Sequence, residues 1–326
     1  MNDNSLSIII PTFNGANRIA KCLEALLKQT LGRNAELLVV DDGSQDGTSE
    51  VVAQFPRVRL ISQANSGPAA ARNRGAQEAA GDLILFTDDD CEPASGWLDA
   101  MIKPFRDPQV VAVKGAYRTR QKPLIARFVQ AEYEDRYRLM SRTVDIDFVD
   151  TYSAAFRRDR FLEMGGYDTD FPTACAEDIE LSYRMSARGW KMRFEPNAIV
   201  YHQHPDSLAR YLKKKFKFAF WRVLALRKNP GKAVKDSHTP QLMKLQLLFG
   251  PAVFAGLVID ALFRPPISCA AAAGGAFVMT TIPFSFRSAK KDTLVGAVSP
   301  FILAFRSCSQ FLGVVSGIFG ARRVRV

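Results

Sequence analysis

Histidine, tryptophan and cysteine are scarce in these 326 residues, at three, three and five, and their scarcity excludes several architectures. The cysteines, at positions 22, 91, 175, 269 and 308, are odd in number and form no CxxC pair. That argues against a zinc ribbon and a disulfide framework, and it suits a reducing compartment. No GxGxxG follows the first apolar run, so a dinucleotide oxidoreductase is disfavoured. Aspartates stand at several strand ends, as in a receiver-type signalling domain, but the lysine such a domain needs on a later strand has no good candidate. There is no internal repeat and no low-complexity linker. The opening residues, MNDNSLSIIIPTFNG, lack a charged n-region and hold only a short apolar run before a proline. No signal peptide is expected from them.

Acidic residues are nearly absent from the last part of the chain. Residues 1–206 carry 25 Lys/Arg against 30 Asp/Glu and residues 207–326 carry 19 against 3, together the formal +11. A basic excess usually suggests nucleic acid. Here it lies beside long apolar runs and apart from the acidic segment, so an anionic membrane is the expected partner and nucleic acid is not.

The first segment reads as alternating short strands and helices. Leu6–Ile10, Glu36–Val40, Val58–Ser62 and Asp82–Phe86 are apolar or β-branched runs with the look of buried parallel strands. Residues 16–28, 48–54 and 67–80 between them have helical spacing or a helix-entry proline. Further strands are expected over 110–117, 148–156, 192–194 and 198–201, and helices over 124–140, 158–164 and 177–188, the last stopped by Gly189. This is an α/β pattern whose ligands bind beyond the carboxyl ends of the strands. Asp41, Asp42 and the run Asp88-Asp89-Asp90 fall at such ends. Adjacent carboxylates disfavour joint ionisation, so the triple aspartate suits a Mg²⁺ or Mn²⁺ site.

Five strings occur in order between Ser5 and His204: PTFNG, DDGSQDGT, NSGPAAARNRG, FTDDD and AEDIELSYRMSARGW. The set resembles family 2 glycosyltransferases of the GT-A fold, a mixed, mostly parallel sheet flanked by helices. The resemblance implies a metal-dependent, inverting transfer of a sugar, of the hexosyl class, from a nucleotide-diphosphate donor to an acceptor hydroxyl. Pro11 and Thr12 match residues flanking the nucleotide base, and Asp42 matches the aspartate that bonds it, with Asp41 ending the same strand. Arg72 and Asn73 match positions near the nucleotide and diphosphate. Asp88 and Asp90 match the outer aspartates of the DxD motif that holds the metal, Asp89 being its variable middle residue. Asp178, beside Glu177, matches the catalytic base; it opens a helix, whose N-terminus favours the ionised form. His202 matches a metal-ligating histidine better than His204 does.

Residues 207–244 hold eleven basic residues and one acid among Phe, Tyr, Trp and Leu side chains, which suits a basic amphipathic helix in the headgroup layer or one docked on the acidic domain. Leu245–Phe263, Ile267–Phe286 and Leu294–Gly320 each approach the ~20 residues that cross a bilayer. Asp260 falls late in the first stretch, whereas Arg306 is central in the third, where a charge costs at least ~2.5 kcal/mol. Two spans followed by a re-entrant or interfacial helix are therefore expected, with CAAAAGGA (269–276) allowing close helix packing. Arg287, Lys290, Lys291, Arg322, Arg323 and Arg325 place the basic ends, and the catalytic domain with them, on the cytoplasmic side of the inner membrane. The expected division is thus 1–206, 207–244 and 245–326, and a lipid-linked or polysaccharide acceptor fits such a location.

Overall fold

The computed structural model describes residues 5–171, 175–232, 236–237 and 239–320. Packing divides the chain into two units: 1–120, 140–203 and 228–237 in the first, and 121–139, 204–227 and 238–326 in the second. Arg322, Arg323 and Arg325 lie outside the described residues.

The first unit is built on strands β1 (Leu6–Thr12), β2 (Ala35–Asp41), β3 (Val58–Ser62), β4 (Leu83–Thr87), β5 (Glu92–Pro93), β6 (Val110–Arg118), β7 (Ser153–Arg157) and β8 (Lys191–Tyr201). They make one eight-stranded sheet in the order β3-β2-β1-β4-β7-β6-β8-β5. β3, β2, β1 and β4 are mutually parallel; β7 runs antiparallel to β4 and β6, and β8 is parallel to β6. β1 and β4 are buried along their whole length, which is why they read as unbroken apolar runs. Helices α1 (Ile19–Thr30), α2 (Thr48–Ala53) and α3 (Pro68–Glu78) connect the parallel strands. The chain leaves β1 toward β2 and β3, then returns across β1 to form β4. Strand order therefore reverses at β1, and a crevice opens beyond its carboxyl end. Thr12, Asp41 and Asp88 stand at that edge.

Helices α4 (Trp97–Ile102), α5 (Leu124–Met140), α6 (Arg158–Glu163) and α7 (Glu177–Ala187) follow. Two expectations shift. The strand expected over 148–156 begins only at Ser153, because the Val149 N–H donates to the Ser182 hydroxyl of α7, 2.9 Å away, instead of joining the sheet. The two extended pieces expected near residue 200 are one strand, β8, which absorbs irregularities against β6 between Val110 and Ala112 and between Lys114 and Ala116. Beneath the end of β4, Phe86, Phe156, Phe161 and Tyr167 pack with ring centroids 5.2–6.4 Å apart.

The second unit contains residues 124–139 of α5, most of α8 (Leu208–Lys228), and α9 (Gln241–Phe263), α10 (Cys269–Ala289) and α11 (Thr293–Gly320). The last three are long and apolar enough to cross a membrane. A cut at residue 206 would separate α5 from its packing partners, since Phe128 and Val129 are buried in one cluster with Tyr211, Phe277, Val295, Ile302 and Leu303. Nor is α8 a free surface helix: Tyr211, Lys215, Ala219, Leu224 and Ala225 are buried. It runs along α11, whose Ser309 hydroxyl donates to the Leu212 carbonyl at 2.8 Å. Farther along, a Cβ on Gly313 or Gly317 would stand 2.5–2.6 Å from the carbonyl oxygens of Phe216 and Phe220. This small-residue spacing brings the two backbones together. In the 269–276 run the close approach is at its start, where a Cβ on Gly256 of α9 would stand 2.6 Å from the Ala270 nitrogen, whereas Gly274 and Gly275 face nothing within 4 Å.

Both charges of concern in the apolar stretches have partners. Asp260 caps α10, accepting from the backbone of Cys269 at 2.7 Å and Ala270 at 3.1 Å. Arg306 is buried and donates to Glu132 of α5 at 2.6 Å and to Gln246 of α9. Glu132 also lies 2.9 Å from the Lys215 ammonium of α8. Burial pushes the Glu132 carboxyl up, but Lys215 and Arg306 outweigh it and hold it at about 2. The carboxylate thus joins three helices through two buried cations. Glu132→Ala, which strands both cations, should cost about 3–5 kcal/mol, read as a lower thermal midpoint of the detergent-purified protein. The apolar triple variant Glu132→Leu, Lys215→Met, Arg306→Met should recover most of that loss.

Candidate active site

On the β2 side of the crevice two aspartates order the loops that follow them. Asp41 accepts from the Ser44 N–H at 2.9 Å and the Ser49 hydroxyl at 2.8 Å. Asp42 accepts from the Gln63 amide at 2.7 Å and from the Ser66 and Gly67 N–H groups, each at 2.8 Å. Both are buried. Asp42 thereby fixes the turn that leads into α3, and its lone pairs not used in those three bonds are what remain for a ligand. Pro11 and Thr12 end β1 beside them.

The triple aspartate splits into three roles. The middle residue, Asp89, is buried and accepts from the Thr12 hydroxyl at 2.6 Å and from Arg18 at 2.7 and 2.9 Å. Burial raises its carboxyl, against the pull of Arg18 and Thr12. It ties the end of β4 to β1 and to Arg18 at the start of α1. Asp90 is exposed and stands 3.3 Å from Nδ1 of His202, at the end of β8. Cys91 Sγ lies 4.0 Å from the same nitrogen, and the ligand atoms of Asp90, Cys91 and His202 all fall within 4.8 Å of one another. The cluster thus offers a carboxylate oxygen and an imidazole nitrogen, donors that suit Mn²⁺ or Mg²⁺, with a thiol beside them. His204 is in the second unit, buried, stacked on Tyr133 and 3.0 Å from the Gln130 side chain.

Asp88 is held elsewhere. The Arg72 guanidinium, from α3, donates to it at 2.6 Å and to Glu177 at 3.3 Å. Burial works against the Arg72 charge, and Asp88 and Glu177 more than offset it. Glu177 is buried and accepts from the Cys175 N–H at 2.8 Å and the Ala176 N–H at 3.1 Å. It is a fixed brace at the start of α7. Asp178, the next residue, is only half-buried; its carboxyl is pushed well up by desolvation, then by the charges of Glu177 and Asp150. Asn73 is spent on structure: its amide donates to the Tyr167 carbonyl at 2.7 Å and accepts from the Tyr167 N–H at 2.8 Å. Gly166, at φ +72° and with the Asn73 side chain directly over it, leaves no room for a Cβ there.

Arg18 and the Cys91 neighbour of the metal-type cluster carry no motif of their own in the sequence. Lys114 does leave a signal, a lysine inside the apolar run VVAVKGAY. It is buried, ion-paired to Asp150, and 2.8 Å from the Tyr152 hydroxyl.

Comparison with known proteins places this arrangement. The family described as Glycosyl transferase family 2 matches residues 7–165, which run from β1 through α6. The pre-mycofactocin glycosyltransferase of Mycobacterium tuberculosis is 27% identical over 227 residues, covering 64% of this chain and 45% of that protein. The poly-beta-1,6-N-acetyl-D-glucosamine synthase of Staphylococcus aureus is 27% identical over 224 residues, covering 66% of this chain and 53% of that one. The chain thus spans about half the length of these curated relatives. Among solved structures, the mannosyltransferase PcManGT from Pyrobaculum calidifontis, in complex with GDP-Man and Mn²⁺, superposes with a TM-score of 0.67 at 21% identity, covering 97% of this chain and 88% of that one. Residues 7–165 thus belong to glycosyltransferase family 2, and the superposition shows a GT-A-like fold, followed by three helices long and apolar enough to cross a membrane.

Proposed function

We propose that the chain is a metal-dependent, inverting glycosyltransferase that moves a sugar, of the hexosyl class, from a nucleotide-diphosphate donor to an acceptor hydroxyl at a membrane. One observation supports this most: Arg72 clamps Asp88, at the end of β4, to Glu177, at the start of α7, so the carboxylates of the metal side and the base side share one crevice. The relatives named as a pre-mycofactocin glycosyltransferase and a polysaccharide synthase, and the neighbour bound to GDP-Man and Mn²⁺, agree with that reading.

Asp90 and His202 would hold the divalent cation, while Asp88, the other outer aspartate of the motif, is paired with Arg72 at the same strand end. Bound there, Mg²⁺ or Mn²⁺ offsets the charge that grows on the departing nucleoside diphosphate. Thr12, Asp41 and Asp42 shape the nucleotide end. Asp178 takes the proton from the acceptor hydroxyl while Glu177, locked to Arg72, keeps the start of α7 in place. Attack comes from the face opposite the leaving group, so configuration inverts without a covalent intermediate. The acceptor is a lipid-linked or polysaccharide hydroxyl, reached at the cytoplasmic face, where exposed basic residues of α8 such as Lys213 and Lys217 meet anionic headgroups.

Three outcomes follow from these roles. Asp178→Asn should keep donor binding and lose at least ~100-fold in turnover. Because the Asp178 carboxyl is raised, the wild-type rate should climb with pH through a midpoint above the ordinary range near ~4; Glu177→Gln, which removes a like charge, should move that limb to lower pH. Near-normal turnover of Asp178→Asn would place the base elsewhere. Next, Asp90→Asn and His202→Ala should each weaken Mn²⁺-dependent binding of nucleoside diphosphate by at least ~10-fold, measured by calorimetry with and without metal; unchanged metal dependence in both would refute the assignment. Finally, high salt should leave the full chain in the membrane fraction and detergent should release it, since apolar burial is not screened as surface charge is. Extraction by salt alone would make α9 to α11 a peripheral cap.

A further inference from the structure

Lys114 sits at the middle of β6, in register with Ala154 of β7 and with Phe194 of β8. A lysine there is expensive, and the structure surrounds it: its ammonium pairs with Asp150, donates to the Tyr152 hydroxyl at 2.8 Å, and lies over the rings of Tyr152 and Phe148 at 4.5 and 5.3 Å. Asp150 is equally buried. One of its oxygens, Oδ2, takes the lysine, whereas Oδ1 is buried without a hydrogen-bond partner among the described residues. An unpartnered buried carboxylate oxygen has capacity for one more donor, and a bound ligand can supply it.

The position of that oxygen indicates which donor. β7 is antiparallel to β4 with Ser153 opposite Thr87, so the residues just before Ser153 run beside Asp88 and its successors. On the other side, the Val149 N–H donates to Ser182 of α7, and the Ser182 hydroxyl lies 2.6 Å from the Asp178 carbonyl. Asp150 is therefore fixed between the end of β4 and the first turns of α7. Burial raises its carboxyl, against Lys114 and the Tyr152 hydroxyl, and the charge of Asp88 adds to the rise; Asp150 in turn raises Asp178.

We infer that Asp150 receives hydroxyl groups of the sugar being transferred, with Lys114 and Tyr152 as its positioning residues. The inference rests on the glycosyltransferase reading above. If the diphosphate lies at Asp88 and Asp90 and the acceptor proton goes to Asp178, what spans the two is the transferred sugar. The nucleotide end lies across β1, at Asp41 and Asp42. A carboxylate accepts hydrogen bonds and repels negative charge, so the sugar it suits is a neutral hexose with free hydroxyls, and a uronic acid is disfavoured.

The test uses full-length protein in detergent, Mn²⁺, and calorimetry with UDP, GDP and a panel of UDP- and GDP-hexoses, including UDP-glucuronic acid. For the best-bound hexose nucleotide, the affinity relative to its bare diphosphate should fall about 10- to 100-fold in Asp150→Asn, as for loss of charged hydrogen bonds. Binding of the bare diphosphate should stay within about twofold, which also shows that the variant is folded. Should Asp150→Asn not fold, the double variant Asp150→Asn, Lys114→Met removes the stranded lysine and is measured in its place. UDP-glucuronic acid should gain in the variant relative to the neutral hexose. An unmoved ratio, or a parallel fall of diphosphate and hexose nucleotide, overturns the assignment while leaving the transferase reading intact. A wild-type protein that binds no nucleoside diphosphate with Mn²⁺ overturns that reading and this assignment together.

Discussion

The buried guanidinium of Arg72 is the interaction on which the first unit depends. Its side chain is 3% exposed and joins Asp88, just past β4, to Glu177 of α7, which lies 105 residues from Arg72 in sequence. Removing it would leave Glu177 as an uncompensated buried charge, the kind of loss that typically costs several kcal/mol. Its neighbour on α3, Asn73, pins the Gly166–Tyr167 backbone by a reciprocal pair of hydrogen bonds. Two adjacent residues of one helix thus set the end of β4, the loop after α6 and the start of α7. A crevice assembled from distant loops gains from such a brace, because a displacement of one ångström in a catalytic group costs far more in rate than in stability.

The second unit solves the opposite problem, charge within an apolar helical set. Glu132 answers Arg306 and Lys215, and the turn between α10 and α11 is held to α5 by Arg287–Asp135 at 2.8 Å, Lys291–Glu134 at 2.6 Å and the Arg127–Asp292 pair. α5 and α8 are the charged helices of this unit, and they cover one side of α11. The other side carries Phe301, Phe305, Leu312 and Phe319, all strongly exposed, and α9 adds Leu248, Phe254, Leu262 and Phe263. Apolar exposure of this extent is costly in water and favourable in lipid. Arg306 ceases to be an obstacle to membrane burial of α11 once its charge is turned inward, away from that apolar side.

Much of this was legible in the sequence, and what was not has a common cause. β1, β2 and β4 announce themselves because strands buried on both faces need continuous apolar runs, and the aspartates that end them mark the crevice. The three apolar helices are legible by length. The grouping of α5 with them is not: Phe128 and Val129 look like any amphipathic helix face until Tyr211 and Phe277, over 80 residues later, are seen to cover them. Glu177 and Asp178 are adjacent and alike in sequence, yet one is a buried brace and the other half-exposed, a difference set by Arg72 from α3. Asn73 shares a motif with Arg72 but spends its amide on local structure. In each case the deciding partner is distant in the chain, so composition and spacing around the residue hold no record of it.

Electrostatics then connect the brace with the proposed chemistry. Asp88, Asp90, Asp150, Glu177 and Asp178 gather around two buried cations, Arg72 and Lys114, so the crevice holds an excess of negative charge before any ligand enters. That excess has two uses. In the proposed mechanism it would draw a divalent cation to the most exposed carboxylate, Asp90, beside the His202 imidazole. It also raises Asp178, through Glu177 and Asp150. A carboxyl whose affinity for protons is raised toward the working pH is a stronger base in its ionised form than a solvated aspartate, as long as enough of it remains ionised. Arg72 limits the rise, since its charge pulls Asp178 back down. The guanidinium that fixes the geometry therefore also tempers the proposed base, as a lesser contribution beside the desolvation that raises it most.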